Sequence, residues 1–233
     1  YRDNRKVARL LLDHGADPNV PGPFGRTALF FSQLELNTVG DMLIDAGANT
    51  EVQDDWGRTI LHYAAINSDV DVYYFQHTGI MGPDNMATTD MLGRTPLFYL
   101  IANNELATVN NYVELYSDRN ERYGFFSEQS TIKDIEGNTP SHILALSSFY
   151  DDEFRNCDWI LGLITNTQNN DGDTPLHLLV KLHDSWTIRE LSYQYEDIWE
   201  DQINVPNNDG YTPLQLAELN GDMEIMELLT RQF

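Results

Sequence analysis

The side chains that could carry out acid–base, nucleophilic or metal chemistry are scattered along the 233 residues of the chain. The six histidines and the one cysteine form no His/Cys cluster at the spacing of a zinc-binding motif. Adjacent carboxylates occur, but acidic residues are so abundant that such pairs do not indicate an acid–base catalytic site. A glycine-rich phosphate loop with a lysine is also absent from the sequence. We therefore predict no metal, no cofactor and no catalytic residues.

The one cysteine, Cys157, has two interpretations. It could act as a nucleophile, with His142 or His183 of neighbouring segments as its base. However, the adjacent Asp158 would raise the pKa of the thiol and favour its less reactive neutral form. We favour the alternative, in which Cys157 is a buried small apolar side chain. The chain by itself is then not an enzyme.

The charge of the chain restricts its partners. Lys and Arg total 14 against 37 Asp and Glu, which gives a formal net charge of -23. Such a surface repels the phosphates of nucleic acid and of anionic lipid, so we predict neither as a partner. The hydrophobic content of 41% is well above that of chains that stay unfolded, so the protein should fold.

The compartment can be predicted from cysteine content and hydropathy. A single cysteine cannot form an internal disulfide, which favours a reducing environment. No stretch approaches the roughly 18 apolar residues of a membrane span. We expect an intracellular protein of the cytoplasm or nucleus, or of a host cell's cytoplasm if the chain is a secreted effector.

A repeated turn organises the whole sequence. Six segments carry a glycine followed two residues later by Thr, and four of them continue with Pro. The six glycines are Gly25, Gly57, Gly93, Gly137, Gly172 and Gly210. Their spacings of 32, 36, 44, 35 and 38 residues cluster near one period. Glycine permits positive φ in a tight turn, Thr can cap a helix, and Pro fits its first turn.

Two helices are predicted in each repeat. Apolar residues at helical spacing follow each Thr and indicate a first helix. Amphipathic second helices are predicted at residues 7–13, 39–45, 106–116, 154–165, 188–199 and 223–231. The second helix at 69–77 is weaker and is followed by Gly79, Gly82 and Pro83, so we expect a distortion there.

These motifs resemble the ankyrin-repeat family. The resemblance is carried by Gly-x-Thr-Pro-Leu-His, by Leu-Leu-Leu-Asp-His-Gly-Ala-Asp at 10–17 and by Asp-Asp-Trp-Gly-Arg-Thr at 54–59. It covers nearly the whole chain and implies an all-α solenoid of stacked helix pairs with short β-hairpin loops, which binds proteins. It also implies that His62, His142 and His177, each five residues after a turn glycine, brace the hairpins.

The resemblance gives approximate boundaries for the repeats. We expect one domain over residues 1–233, with a partial unit at 1–20 and units at 21–52, 53–88, 89–132, 133–167, 168–205 and 206–233. The long interval between Gly93 and Gly137 indicates an inserted loop at residues 117–131. That loop contains Tyr123, Phe125 and Phe126 and is a candidate second contact.

The candidate binding site lies at the hairpin tips. In the resembled family, the residues beside the turn glycine and the adjoining face of the first helix are the usual contact surface. In the first three tips these residues are large and apolar or are arginine, and they are Phe24, Arg26, Trp56, Arg58, Met91, Leu92 and Arg94. Aromatic side chains and arginine are enriched at interface hot spots.

The same residues have a structural alternative. Each arginine could serve the repeats internally, by pairing with the aspartate of a turn or by stacking on the next tip. Trp56 could be covered by a neighbouring tip or by the rest of the protein.

A second zone of the chain is acidic. Residues 150–201 contain twelve acids and three bases. This zone could attract a Lys/Arg-rich segment of a partner or could keep the domain soluble, and we favour solubility. We therefore expect a protein partner, with a basic segment as one option, and a monomeric chain.

The function predicted from the sequence is that of a protein-interaction scaffold. Two alternatives remain open. The chain could be the targeting or regulatory region of a larger enzyme, for example a pathogen effector with a separate catalytic domain. It could also be an intramolecular spacer, in which case the Trp56 edge would be covered by the same protein.

Overall fold

The structure, a computed structural model, describes residues 4–32, 34, 38–68, 71–115, 128–147, 160–194 and 199–230. Within these ranges the chain forms helices joined by turns, and none of the described residues lies in a β-strand. The all-α prediction is confirmed. By its internal contacts the chain divides into two compact units, an N-terminal unit of residues 1–100 and a C-terminal unit of residues 101–233. The single-domain organisation and the repeat boundaries stay predictions.

The helices of the N-terminal unit follow the repeat. They are α1 (Arg5–Asp13), α2 (Val39–Asp45), α3 (Ile60–Asn67), α4 (Val72–His77), α5 (Pro83–Ala87) and α6 (Pro96–Ala102), which runs across the division. The predicted weak second helix is α4, and the distortion after it contains the additional short helix α5. Phe75, Ile80 and Met86 are fully buried in this region, so the irregular segment belongs to the hydrophobic core.

The helices of the C-terminal unit are more regularly paired. They are α7 (Leu106–Leu115), α8 (Pro140–Leu146), α9 (Ile160–Leu163), α10 (Pro175–Lys181), α11 (Ser185–Gln194), α12 (Pro213–Asn220) and α13 (Met223–Thr230). The first helices α8, α10 and α12 pack in succession, and each of α10 and α12 also packs against its own second helix. Buried Leu144, Leu176, Leu179 and Ile225 contribute to this core.

The predicted second helices agree with the structure to within five residues at α1, α2, α7, α11 and α13. Of the segment predicted at 154–165, the structure describes Ile160–Leu163 as helical. Residues 117–127 of the inserted loop predicted at 117–131 lie outside the described residues, as does Cys157.

A histidine side chain helps to begin three of the first helices. In α10, the backbone N–H of Thr174 donates to His177 Nδ1 at 3.1 Å, and the backbone N–H of His177 donates to the Thr174 hydroxyl. This reciprocal pair satisfies N–H groups that have no partner within the helix. Thr59 with His62, and Thr139 with His142, form the same pair at α3 and α8.

The repeat at residues 21–52 lacks this histidine and has a shorter first helix. Phe30 occupies the histidine position, and the buried hydroxyl of Thr27 has no hydrogen-bond partner among the described residues. The segment Ala28–Phe31 forms only a 3-10 turn. The repeat of α6 also has a phenylalanine, Phe98, at the histidine position, but its first helix begins with Pro96, whereas Ala28 stands at that position here. The repeat at 21–52 therefore lacks both the capping histidine and the proline that begin first helices elsewhere.

Candidate functional site

The hairpin tips are built around an Asp or Asn three residues before the turn glycine. This residue is Asp54, Asp90, Asp134, Asn169 or Asn207 in the five tips that have one. In each, the Oδ1 atom accepts the backbone N–H groups of the residues two and four positions later, at 2.8 to 3.1 Å. A backbone hydrogen bond closes each hairpin, for example from the Asp54 N–H to the Arg58 carbonyl. The predicted β-hairpin loops are therefore turns held by side chains.

Consecutive tips are joined by backbone hydrogen bonds. In the N-terminal unit, Asp55 donates its N–H to the Phe24 carbonyl and Met91 donates to the Trp56 carbonyl, both at 2.9 Å. In the C-terminal unit, Asn170 donates to Glu136 and Asn208 donates to Asp171. Each of these four tips is thus held directly on the tip before it.

The first tip, at residues 20–26, departs from this scheme. Gly22 occupies the position of the Asp or Asn, and Pro23 occupies the position whose N–H reaches the preceding tip. Phe24 adopts a positive φ of 62°, which is unusual for a residue with a Cβ. The hairpin is still closed, because the Gly22 N–H donates to the Arg26 carbonyl at 2.8 Å.

Arg26 connects the first tip to the second. Its Nε lies 3.1 Å from Asp54 Oδ2, and its Nη2 donates to the Tyr63 hydroxyl. Tyr63 in turn donates to the same carboxylate oxygen at 2.7 Å. The guanidinium also lies over the rings of Tyr63 and Trp56, at 4.7 and 5.0 Å from their centroids.

Arg58 repeats this arrangement one tip later. Its Nε lies 3.4 Å from Asp90 Oδ2, and Tyr99 donates to that oxygen at 2.6 Å. Its guanidinium faces the rings of Tyr63 and Tyr99. Each arginine therefore belongs to a cluster of Arg, Asp and Tyr that joins two tips, in agreement with the structural alternative from the sequence.

The electrostatics of these clusters favour ionised aspartates. Burial would raise the pKa of Asp54, but hydrogen bonds from Tyr63, from backbone N–H groups and from Arg26 outweigh it and lower that pKa. The pKa of Asp90 is lowered in the same way, with Tyr99 as the largest hydrogen-bonding cause. The Asp54 and Asp90 side chains are almost completely buried, so the arginines compensate charges that water does not reach.

In the C-terminal unit, asparagine side chains join consecutive tips. Asn169 donates from Nδ2 to Asn138 Oδ1 at 3.0 Å, and Asn207 donates from Nδ2 to Asp173 Oδ1 at 2.9 Å. The second oxygen of Asp173 accepts the ammonium of Lys181. In each unit, therefore, the residue after the turn glycine contacts the Asp or Asn of the next tip at two junctions.

The three buried histidines link successive repeats. The Nδ1 of His62 accepts the N–H of Thr59, which leaves Nε2 to donate to the Arg94 carbonyl at 3.1 Å. His142 and His177 reach the carbonyls of Asp173 and Tyr211 in the same way. Burial lowers the pKa of all three, so they are neutral structural groups, as the family resemblance implied.

An apolar surface remains exposed on the first three tips. Phe24 is 57% exposed, Trp56 is 41% exposed and Met91 is 69% exposed. The rings of Phe24 and Trp56 touch, with centroids 5.2 Å apart, so a neighbouring tip covers Trp56 only in part. We call the surface formed by Phe24, Trp56 and Met91 the tip edge.

The other predicted site residues are placed differently. Leu92 and Arg94 are half-buried beside the third turn glycine. Tyr123, Phe125 and Phe126 lie outside the described residues. The sequence reasoning missed Tyr63 and Tyr99, although each stands six residues after a turn glycine and could have been recognised by that repetition.

Part of the acidic zone has a structural role. Asp184 is buried and accepts both the backbone N–H and the hydroxyl of Thr187 at the start of α11. Asp171 and Asp209 are exposed at their tips. Residues 148–159 and 195–198 of this part of the chain lie outside the described residues.

The described part of the chain contains no group of three or more His, Cys, Asp or Glu placed to hold a metal ion. Within the same residues, no helix is both long enough and apolar enough to span a membrane. An open depression of about 390 Å³ in the C-terminal unit has no ionisable side chain in its lining of Ile203, Asn204, Thr212, Leu214, Leu229 and Thr230. It therefore offers no group for acid–base chemistry.

Comparison with known proteins agrees with the geometry of the repeats. Residues 1–75 match the family model described as ankyrin repeats (3 copies). The fold is similar to that of the ankyrin repeat domain of Bcl-3, described as a unique member of the IkappaB protein family. That match has a TM-score of 0.63 and 18% identity, and it covers 97% of this chain and 91% of the other.

A second solved structure has the same fold. It is an ankyrin repeat domain from Acinetobacter baumannii AYE, with a TM-score of 0.50 and 17% identity over 99% of this chain and 93% of the other. A search of curated protein sequences found no match to the chain. At these identities the two structures establish the fold alone.

Proposed function

We propose that the chain, which has the ankyrin-repeat fold, is an interaction scaffold that binds a protein partner through the tip edge of its N-terminal unit. Ankyrin repeats are in general protein–protein interaction modules, and their fold is typically not catalytic. The observation that carries the proposal is the exposure of large apolar side chains on three consecutive tips.

Physical chemistry supports binding at this edge. Large exposed apolar side chains that lie next to one another mark interaction surfaces more often than single ones do. Phe24, Trp56 and Met91 also sit on hairpins that are each closed by a backbone hydrogen bond and joined to a neighbouring tip by another. A pre-ordered surface loses little conformational entropy when it binds, so more of the contact energy remains as affinity.

The two arginines have a different role in this proposal. Arg26 and Arg58 are positioning residues, because their guanidinium groups are already opposite Asp54 and Asp90. Leu92 and Arg94 adjoin the edge and extend the proposed contact. The inserted loop with Tyr123, Phe125 and Phe126 is a proposed second contact, and a monomeric chain in the cytoplasm or nucleus is likewise proposed.

The test combines Trp56→Ala with Met91→Ala. We expect the double variant to lose at least one protein that the wild-type chain captures from a cell lysate, measured by quantitative mass spectrometry. The matched control is Tyr193→Ala, which removes a side chain that is 89% exposed on α11 of the C-terminal unit. Helical circular dichroism should be the same for all three proteins, because none of the substituted side chains is buried.

Identical capture by the wild-type chain and the double variant would refute the proposed site. Equal loss in the double variant and in Tyr193→Ala would show that exposed apolar side chains in general, rather than the tip edge, retain the captured proteins.

A further inference from the structure

The guanidinium groups of Arg26 and Arg58, beside the tip edge, already face carboxylates of this chain. Arg26 faces the buried carboxylate of Asp54, and Arg58 faces that of Asp90. Tyrosine hydroxyls and rings occupy other sides of both groups. A carboxylate from a partner would therefore approach ion pairs whose charges already cancel.

One negative charge at the same edge has no partner among the residues that the structure describes. Asp55 is exposed, and no described residue forms a hydrogen bond or an ion pair with its carboxylate. Its position is fixed, because its backbone N–H bonds the Phe24 carbonyl and the next residue is Trp56. The Asp55 carboxylate therefore stands between the first and second members of the tip edge.

The charge of the whole chain has the same sign. The formal net charge of -23 repels acidic segments and attracts basic ones as they approach. Long-range attraction by itself does not locate a site, but it agrees in sign with the Asp55 carboxylate at the tip edge.

Given the proposed function, we infer that the tip edge takes an extended protein segment in which apolar side chains stand next to Lys or Arg. The tips follow one another along a line of backbone hydrogen bonds, so an extended segment can meet them in succession. Its apolar side chains cover Phe24, Trp56 and Met91, and its basic side chain reaches the Asp55 carboxylate. A segment rich in Asp or Glu does not fit this edge.

The first experiment is a selection from a random 12-residue peptide library displayed on phage. The wild-type chain is the target, and the Trp56→Ala variant is used for counter-selection. We expect the clones that distinguish the two proteins to be enriched in Lys or Arg beside apolar residues. Enrichment of acidic clones would overturn the inference and leave the proposed site in place. Absence of any clone that distinguishes the two proteins would count against both.

The second experiment measures the binding of one enriched peptide, made synthetically, by fluorescence anisotropy. We expect Asp55→Asn to weaken binding by about fivefold, the size of effect typical of an exposed ion pair. The control is Asp209→Asn, which removes an exposed carboxylate from the last tip and should leave the affinity unchanged. Equal weakening by the two substitutions would mean that net charge alone attracts the peptide, which would overturn the inference.

Analytical ultracentrifugation of the chain alone tests whether a second copy of the chain occupies the tip edge instead. A concentration-dependent dimer that is lost in Trp56→Ala would assign the tip edge to a second copy and overturn the inference. A single monomeric species for both proteins is the expected result.

Discussion

Apart from the first tip, the hairpins of the N-terminal unit and those of the C-terminal unit are closed by the same hydrogen bonds, but different side chains join one tip to the next. In the N-terminal unit an arginine meets a buried aspartate, as in Arg26 with Asp54. In the C-terminal unit the corresponding contacts are Asn138 with Asn169 and Asp173 with Asn207. In the N-terminal unit the hydrogen-bond donor, Arg26, precedes its acceptor in the sequence. In the C-terminal unit the donors, Asn169 and Asn207, follow their acceptors in the sequence.

This difference shows how a repeat can change its charge while it keeps its shape. Residues 1–100 contain 13 acids and 7 bases, whereas residues 101–233 contain 24 acids and 7 bases. An acidic Asp173 after the turn glycine is compatible with the fold because Asn207, rather than a second aspartate, faces it. Hydrogen-bond complementarity between consecutive tips is thus the constraint, and the identity of each side chain can vary within it.

The largest effect is expected where one tip lies tightly on the next. Gly172 has a φ of 77°, and a Cβ at this position would be 2.5 Å from the backbone nitrogen of Asn208. Gly172→Ala should therefore lower the free energy of unfolding by about 3 kcal/mol or more, from backbone strain together with the clash. Urea denaturation followed by circular dichroism measures the change.

Gly210→Ala is the matched control for this prediction. Gly210 has a φ of 85°, but nothing lies within 4 Å of the position of its Cβ. Gly210→Ala should therefore lower the free energy of unfolding by only about 1 kcal/mol, from the strain of an alanine at positive φ. Equal costs at both glycines would contradict the close packing of tip on tip.

The next effect tests complementarity between tips. Asn207→Asp places a second carboxylate against Asp173, and both positions are buried. We expect a loss of about 2 kcal/mol in the free energy of unfolding at neutral pH, because a donor is lost and like charges meet. The double variant Asp173→Asn with Asn207→Asp restores a donor facing an acceptor and should recover much of the loss. If the effects of the two substitutions on the free energy of unfolding are additive, hydrogen-bond complementarity between these tips does not contribute to stability.

A third prediction concerns the stability of the folded chain at acidic pH. Burial lowers the pKa of His62 in the N-terminal unit and of His142 and His177 in the C-terminal unit below the ordinary value of 6.5. Below about pH 6.5 the unfolded chain binds protons that the folded chain excludes, so stability falls as the pH is lowered toward the folded-state pKa values. Thermal midpoints between pH 7.5 and 5.5 measure this decrease.

The substitution His142→Gln sharpens this test. Gln215 already occupies the equivalent position in the last repeat, where its Oε1 accepts the N–H of Thr212 at 2.9 Å. The variant should fold, and its midpoint should depend less on pH than that of the wild-type chain. An unchanged pH dependence would mean that other groups cause the loss of stability in acid.

The smallest effect is expected from Arg26→Lys in the N-terminal unit. Lysine keeps the positive charge near Asp54 but cannot reproduce the planar contact with Tyr63 and Trp56. We expect a loss of about 1 kcal/mol or less, measured by urea denaturation. The counterpart in the C-terminal unit is Lys181→Arg, which should be nearly neutral because Lys181 is described without such a ring contact. A larger loss from Lys181→Arg would contradict the difference between the two units.

The repeat period, the caps and most second helices could be predicted from the sequence because they depend on local spacing. The Thr and Pro after each turn glycine mark α8, α10 and α12, and the structure confirms these helices. The same local pattern predicted a first helix in the repeat at 21–52, where the structure has only a 3-10 turn at Ala28–Phe31. Its Thr27 is present, but the repeat has neither the capping histidine nor the proline that begins α6, where Phe98 also replaces the histidine.

The candidate site was less predictable because it depends on contacts between repeats. Arg26 and Asp54 are 28 residues apart, and Arg58 and Asp90 are 32 apart, so no local pattern pairs them. The sequence therefore left the role of the arginines open between partner contact and internal pairing. The exposure of Phe24, Trp56 and Met91 likewise depends on how much of each side chain the neighbouring tip covers.

Pro23 sets the first hairpin apart from the tips that follow it. It has no N–H, and Gly22 has no side chain, so this hairpin lacks the two donors with which Asn208 and Asn207 bind the tip before them. Whatever lies on that side of the first hairpin therefore cannot receive the backbone hydrogen bond that joins the later tips, in the way that proline interrupts the hydrogen bonds of a sheet edge.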